Sequence, residues 1–451
     1  MPTAPVDSSG TQLYYEDSGV PPNSSAYTTV VAIHGAFFHC GSFRRLLACG
    51  PAHGLRCISV NCRGYPLSTP YSLEELGIMR EGDVHAQGLF LQARGLEIAS
   101  LLVWLYRAGV VCPLEVMADR KQSGGLALYG WSAGNKEVLA FLAHADALPE
   151  ESCRILAIIL RSVILYDIPR FALGYSTSLL GLSQPFFQAN VPSSCWSWLS
   201  AYYTHSPFYG DTSNLSQRPD ADKTPTWDRL TAAERDSIMV YSDTELRFCK
   251  FDPRVVFKAN YVRALLDPAI AKNVFPDLQV TVVIGEKSIW EAPTIGYIVD
   301  RDLQRSRHRG IKTRHIEVVV QRGANHFDRL CLFTSVCLSR AEMPKFDGFE
   351  FASAECASKP GNYHLSDTGL INMLLILSLK LFFNLFLHFL EHESETSDID
   401  GGKRESSATD DFLTKDNRTC AAPITATIGK ITDSNSYSIH LSLSPTRTIS
   451  D

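Results

Sequence analysis

The six residues Gly130-Trp-Ser-Ala-Gly-Asn135 constrain this chain more than any other stretch. They fit the pattern G-x-S-x-G, and their flanks are what a strand-to-helix turn on that pattern requires. Upstream, Leu126, Ala127, Leu128 and Tyr129 make a short apolar run suited to a buried strand. Downstream, KEVLAFLAHADAL supplies about three turns of good helix formers. A serine on so tight a turn has strained backbone and little room beside it, so Gly130 and Gly134 are read as letting neighbouring backbone come close without a Cβ in the way. The turn lifts the hydroxyl clear of the sheet, and amides at the start of the helix face any negative charge that develops beside it. Ser132 is therefore read as a nucleophile.

The rest of the chain supplies the sheet such a turn needs. QLYYEDSG and YTTVVAIHG read as two strands within 11–35, and LRCISVN (55–61) as a third, leading into CRGYPLS. Residues 84–107 carry Ile98, Leu101, Leu102 and Leu105 at i, i+3, i+4 and i+7, the spacing of a helix with one apolar face. After the elbow come SVILYD (162–167), LQVTVVIG (278–285) and IEVVV (316–320), all apolar and rich in β-branched residues. Helices alternating with such strands predict an α/β fold: a mostly parallel sheet covered on both faces, with its chemistry on loops at the strands' carboxyl ends.

Between SVILYD and LQVTVVIG lie about 110 residues, many more than the dozen a crossover needs. This stretch is rich in aromatics (Phe171, Tyr175, Phe186, Phe187, Trp196, Trp198, Tyr202, Tyr203, Trp227) and is read as a cap inserted over the active edge. Its aromatics either line an apolar substrate pocket or form the cap's own small core. The expected organisation is a first core half at 1–169, a cap at 170–275, a second core half at 276–345, a linker at 346–369, an apolar helix at 370–390 and a disordered polar tail at 391–451. LINMLLILSLKLFFNLFLHFL (370–390) is long enough to span a bilayer, while Asn372, Lys380, Asn384 and His388 weigh against insertion; a membrane-associated or buried helix is the other reading.

Composition narrows the partners. A net charge of −6 without a Lys/Arg block argues against nucleic acid. The 12 cysteines show no CxxC pair and no His/Cys cluster of zinc-like spacing, so no metal site is expected and the thiols are read as reduced and mostly buried. MPTAPVDSSGTQ has neither a basic nor an apolar region of the secretory kind, which makes an intracellular location the default expectation.

An activated serine needs a base, an orienting acid and donors for an oxyanion. Gly323-Ala-Asn-His-Phe follows IEVVV, which puts His326 on a loop at a strand's carboxyl end and after the serine in the chain. His34-Gly35-Ala36-Phe37 follows TTVVAI, where the amide of Ala36, or of Phe37, can join that of Ala133 as the second oxyanion donor.

Taken together, GTQLYYEDSG, HGAFF, NCRGYPLS, GWSAGN and GANHF resemble the α/β-hydrolase fold superfamily over residues 11 to about 327, roughly 70% of the chain. HADALP and VILYDIP give the wording a likeness to hydrolase-like proteins of filamentous and mushroom-forming fungi. The resemblance implies a serine hydrolase acting on an ester, thioester or similar acyl bond, with no metal or organic cofactor. The aromatic cap points to a hydrophobic small molecule, a lipid or secondary metabolite. A lyase or acyltransferase that keeps Ser and His is another outcome the fold allows.

The sequence departs from the family at the acid. The pattern G-x-x-D expected after the penultimate strand reads Gly285-Glu-Lys-Ser288, so a serine stands where aspartate is expected. Asp167, ending the strand after the elbow helix, is the first substitute, with Glu291 and Glu286 as alternatives. A site lacking the acid would be slow, and a catalytically reduced binding protein is the reading that follows from it. Past His326 the family's closing helix is expected at LCLFTSVCLSRAEM, unless the tail is an appended extension.

Overall fold

The computed structural model describes residues 2–22, 24, 26–116, 122–175, 193–208, 210–241, 247–248, 251–328, 424–430 and 437–443. The expected closing helix, the linker 346–369, the apolar segment 370–390, and Phe186 and Phe187 lie outside them.

Eight strands build the sheet: β1 (Thr3–Pro5), β2 (Gln12–Asp17), β3 (Thr28–Ile33), β4 (Leu55–Val60), β5 (Leu126–Trp131), β6 (Leu160–Tyr166), β7 (Gln279–Gly285) and β8 (His315–Gln321). Their spatial order is β1-β2-β4-β3-β5-β6-β7-β8. From β4 to β8 all neighbours are parallel, while β2 pairs antiparallel with β4 and β1 antiparallel with β2. All but β1 were legible as strands. Thr3–Pro5 is three residues with a terminal proline, short enough to carry no alternation of its own and placed on an edge, where a missing N–H costs nothing.

Side chains alternate across the sheet. Val31, Ile33, Leu128, Leu165 and Val282 face one core, against helices α1 (Val84–Arg107), α2 (Asn135–His144), α3 (Glu150–Ile159) and α4 (Glu291–His308). Val30, Ala32, Tyr129, Tyr166 and Val283 face a second core with Phe43 and Leu46 of the Cys40–Cys49 helical turns. With helices on both faces of a mostly parallel sheet, and a strand–turn–helix at Ser132, this is the α/β-hydrolase fold expected from the sequence.

Helix α1 is the one described helix long and apolar enough to cross a membrane. Leu91, Ile98, Leu101, Leu102 and Leu105 are buried on its inner face, as in the central helix of a globular core. It lies so close to α2 that a Cβ on Gly95 would overlap the backbone of Ala140 and Phe141. Gly95→Ala is therefore expected to destabilise the fold by about 1–3 kcal/mol, the usual cost of overpacking, despite alanine's better helix propensity. The urea midpoint of unfolding checks this; an unchanged or higher midpoint would contradict the close approach.

The insertion does two different things. Trp196, Leu199, Tyr203 and Trp227 join the second core, beside the carboxyl ends of the strands. The helical stretch 253–273 instead sends Tyr261, Ala264, Leu265 and Ile270 into the first core, against α2. The expected cap boundary at 275 thus reaches too far: Tyr261, Ala264, Leu265 and Ile270 pack as a core layer, a role that helical periodicity in so short and π-interrupted a stretch does not signal.

Within the unit Glu355–Asp451, Ile424–Lys430 and Tyr437–Leu443 pair as an antiparallel hairpin, where the polar tail was expected to be disordered. Alternating β-branched and polar residues in ITATIGK and YSIHLSL suit that pairing.

Candidate active site

Strand order decides where the site forms. From β3 the chain first moves outward to β4 and then returns to β5 on the other side, so the loops leaving β3 and β5 diverge from neighbouring strands. Such a switch point opens a crevice at the strands' carboxyl ends. His34–Phe38 leaves β3 there, and Ser132 leaves β5.

Ser132 has φ 51°, the left-handed backbone that a non-glycine residue adopts only under constraint. Its neighbours supply that constraint. A Cβ on Gly134 would overlap the carbonyl oxygen of His34, and one on Gly130 would lie 2.5 Å from Asn135 Oδ1. Asn135 Nδ2 donates to the carbonyl of Ser132 (2.8 Å) and to that of Tyr166 (3.0 Å), tying the elbow to the end of β6. Gly35 faces the elbow from the other side, where a Cβ would come 3.0 Å from the Cβ of Ser132. The Ser132 hydroxyl opens into a pocket shared with His326. It makes no hydrogen bond to a described residue; such hydroxyls turn freely, and catalytic bonds tighten when substrate excludes water.

His326 is buried and held at both ends. Trp131 Nε1 donates to its carbonyl (3.0 Å), and the Trp131 ring lies 5.5 Å from the imidazole, centroid to centroid. Its Nδ1 lies 3.0 Å from Oδ2 of Asp167. Among the described residues Asp167 is the carboxylate bonded to His326. Asp167 is itself in the left-handed region (φ 43°), and its Oδ1 accepts from the amide of Gly285 (2.8 Å) while Oδ2 accepts from Ser288 Oγ (2.7 Å). An ionised carboxylate with three donors, Gly285 N–H, Ser288 O–H and His326 Nδ1–H, is well matched although only 3% of it is exposed. A hydrogen on Nδ1 leaves Nε2 with the lone pair.

The two alternative acids stand elsewhere. Glu286 turns outward, accepting from the Gly323 amide (2.7 Å) at an exposed turn. Glu291 lines the same pocket as the first residue of α4 and has Arg170 as an electrostatic neighbour.

The loop after β3 is strapped down on three sides. His34 Nε2 accepts from the Cys62 amide (3.1 Å), leaving Nδ1–H to the Gly35 carbonyl (3.0 Å). Tyr65, from the same Cys62–Tyr65 turn, accepts the amide of Phe37 (2.9 Å). That amide is thereby occupied, which leaves Ala36 as the other of the two expected donors. Val240 N–H donates to the Phe37 carbonyl (2.8 Å), and His39 N–H to that of Ile238 (3.1 Å), so the insertion also grips this loop. Ala133, in the first turn of the helical start at Ser132–Gly134, has an amide without an intrahelical acceptor. Ala36 and Ala133 both line the pocket.

The pocket wall is apolar: Phe37, Phe38, Trp131, Ile168, Trp196 and Leu199 are among its lining. The insertion's aromatics divide between the pocket wall and the sheet's second core rather than a small core of their own. Trp196 lines the pocket and packs edge-on against Phe38 (5.3 Å), whereas Trp198 and Trp227 pack within the second core. No lysine or arginine is among the described lining residues.

No protein-family model matches the chain, and no curated protein matches it in sequence. Solved structures similar to it include a bromoperoxidase from Bacillus anthracis (13% identical, covering 72% of this chain and 92% of that one, TM-score 0.36). An epoxide hydrolase from Vigna radiata is similar at 12% identity, 74% and 94% coverage and TM-score 0.37. A lipase-esterase related protein from Clostridium acetobutylicum is similar at 14% identity, 72% and 96% coverage and TM-score 0.36. None of them assigns a reaction to this chain.

Sequence reading missed Ser288, Asn135, Tyr166 and Asn325. Asn325 Nδ2 donates to the Ser200 carbonyl (2.6 Å) and to Thr226 Oγ1 (2.9 Å), while Tyr166 donates to the Asn325 carbonyl (2.9 Å). Asn135 and Asn325 sat inside GWSAGN and GANHF, three residues after Ser132 and one before His326, and a polar residue within each motif was the available signal.

Proposed function

We propose that the protein is a serine hydrolase cleaving an ester, thioester or related acyl bond of a neutral, hydrophobic small molecule. The observation that carries this reading is the Asp167–His326 contact opening onto the pocket into which Ser132 projects. Ser132 Oγ attacks the acyl carbonyl as His326 Nε2 takes its proton; the imidazolium that forms is balanced by Asp167. The carbonyl oxygen, now an oxyanion, lies between the amides of Ala36 and Ala133. Collapse expels the alcohol or thiol, which leaves with the proton from Nε2. Water, deprotonated by Nε2, then attacks the acyl-serine and frees the acid and Ser132.

The lining supports that substrate class. Apolar walls with two carboxylates, Asp167 and Glu291, and no lysine or arginine among the described lining residues favour a neutral acyl chain over an anionic one. The alternative of a catalytically reduced binding protein drew on the serine at position 288; the contact between Asp167 and His326 supports the enzyme instead. A Ser-His lyase or acyltransferase would use the same residues and is separated by its products.

The test pairs a fluorophosphonate probe with a panel of aryl esters. The probe is expected to modify the peptide containing Ser132, read by mass spectrometry. Esters with neutral acyl chains are expected to exceed carboxylate-terminated ones in kcat/KM by tenfold or more, roughly 1.4 kcal/mol or above. Modification elsewhere, or preference for the anionic acyl group, overturns the reading.

A further inference from the structure

The serine at position 288 looked like the loss of an acid. The geometry points to the opposite: we propose that Ser288 is a positioning residue that aims Asp167 at His326, and that it is itself held by His205 of the insertion. The inference rests on the triad reading above and adds to it the device that lets the carboxylate come from β6 instead of β7.

Ser288 is completely buried, and its Oγ donates to the oxygen of Asp167 that also meets His326 Nδ1. The strand register brings them together: Tyr166 pairs with Val283, and the amide of Asp167 donates to the Val283 carbonyl (2.9 Å). The side chain of Asp167 therefore leans across the end of β7, where Gly285 N–H takes one oxygen and Ser288 O–H the other. Gly285 makes room, since a Cβ there would come 2.9 Å from the Ala324 carbonyl and 3.2 Å from the Ser288 Cβ. Gly285 N–H alone would let the carboxylate swing about its terminal torsion; Ser288 O–H on the other oxygen fixes its plane independently of the imidazole that it is to orient.

The loop bearing Ser288 is fixed from the insertion. His205 Nε2–H donates to the Ser288 carbonyl (2.8 Å), and His205 Nδ1 accepts from the Ser216 amide (3.0 Å). Both ring nitrogens are thus committed to a neutral imidazole, and burial depresses its basicity further. Lys287 contributes its backbone on both sides, its carbonyl accepting from Tyr203 N–H (2.9 Å) and its amide donating to Ala324 (2.8 Å).

The pair also explains why position 288 is not acidic. Two carboxylates 2.7 Å apart would not both stay ionised, so when β6 supplies the charge the end of β7 must supply a neutral donor. One negative charge fits this spot, from either strand end.

The experiment is a swap, run on the full chain with a neutral aryl ester. Ser288→Ala is expected to lower kcat by roughly 10- to 100-fold, the cost of leaving a buried carboxylate oxygen with one of its two donors, with KM within about twofold. Ser288→Cys, a near-isostere with a weak donor, is expected to fall between the two. Asp167→Asn/Ser288→Asp is expected to exceed Asp167→Asn alone by at least about tenfold, because the carboxylate is restored within reach of His326. A merely structural serine predicts no such rescue. Ser288→Ala with wild-type kcat, or a double variant no faster than Asp167→Asn, overturns the proposal. Thermal midpoints identify variants that fail to fold, in which case Ser288→Cys decides. If the wild type is not modified at Ser132 the hydrolase reading fails separately. The downfield proton resonance of His326 Nδ1–H then tests Ser288 by itself: it must shift in Ser288→Ala, and an unmoved resonance overturns the positioning role.

Discussion

Ser132→Ala is expected to lower kcat toward the neutral ester by about a million-fold while leaving KM and the unfolding midpoint close to wild type. The size follows from what the residue does: without Oγ there is no acyl-enzyme, and His326 and Asp167 have no proton to move. A residual rate of about a thousandfold over water is expected from the pocket and the Ala36 and Ala133 amides, which do not depend on the hydroxyl. The stability expectation is equally specific. Ser132 sits at φ 51°, and alanine is no more comfortable there than serine, so the strain is neither relieved nor increased. A small loss, tenfold or less, would mean that the ester is cleaved by something other than this serine. A large loss accompanied by a collapsed midpoint would mean that the hydroxyl matters for folding.

What could be read from the sequence divides along one physical line. Strands β2 to β8 and helix α1 were legible because their apolar residues recur with the periods of those structures. Ser132 and His326 could be named as candidates because their local settings, a turn between strand and helix and a loop after a strand, are written in a few consecutive residues. The acid was legible only as a ranking, Asp167 ahead of Glu291 and Glu286, since choosing among them depends on which strand lies beside which and in what register. The Tyr166–Val283 pairing puts Asp167 over the end of β7, while the one-residue step from Gly285 to Glu286 turns that side chain toward Gly323. Ser288 is the same case: as a residue it is ordinary, and it acquires meaning once Asp167 is 2.7 Å away. The far end of the insertion was misjudged for a related reason. Tyr261, Ala264 and Leu265 look no more core-like than Trp196 or Trp227, and only tertiary packing sorts them between the two faces of the sheet.

Replacing Asp167 by asparagine is expected to cost about 10⁴-fold in kcat, and the reason is a tautomer. In the native site Oδ2 accepts from His326 Nδ1–H, and Ser288 and Gly285 donate to the same carboxyl group. An asparagine has one oxygen for two places: with it facing the Gly285 amide, its NH₂ takes the place of Oδ2, toward Nδ1 and toward Ser288 Oγ, which must turn to accept. The imidazole then accepts at Nδ1 and carries its proton on Nε2, leaving no lone pair for Ser132. The loss also removes the negative charge that balances the imidazolium, an uncompensated buried charge of the most costly kind. Glu286→Gln is the sharp control. Its carboxylate bonds the exposed Gly323 turn and is expected to change kcat by no more than about twofold. Glu291→Gln is expected to act on KM, since Glu291 lines the pocket and has Arg170 as an electrostatic neighbour. The same three variants can be compared by their rate of modification with the fluorophosphonate, which needs the activated serine but no leaving-group protonation of an ester. Asp167→Asn is expected to be slow in both assays. If it reacts at the wild-type rate while Glu291→Gln does not, the orienting charge comes from the start of α4, and the bond seen between Asp167 and His326 serves the fold alone.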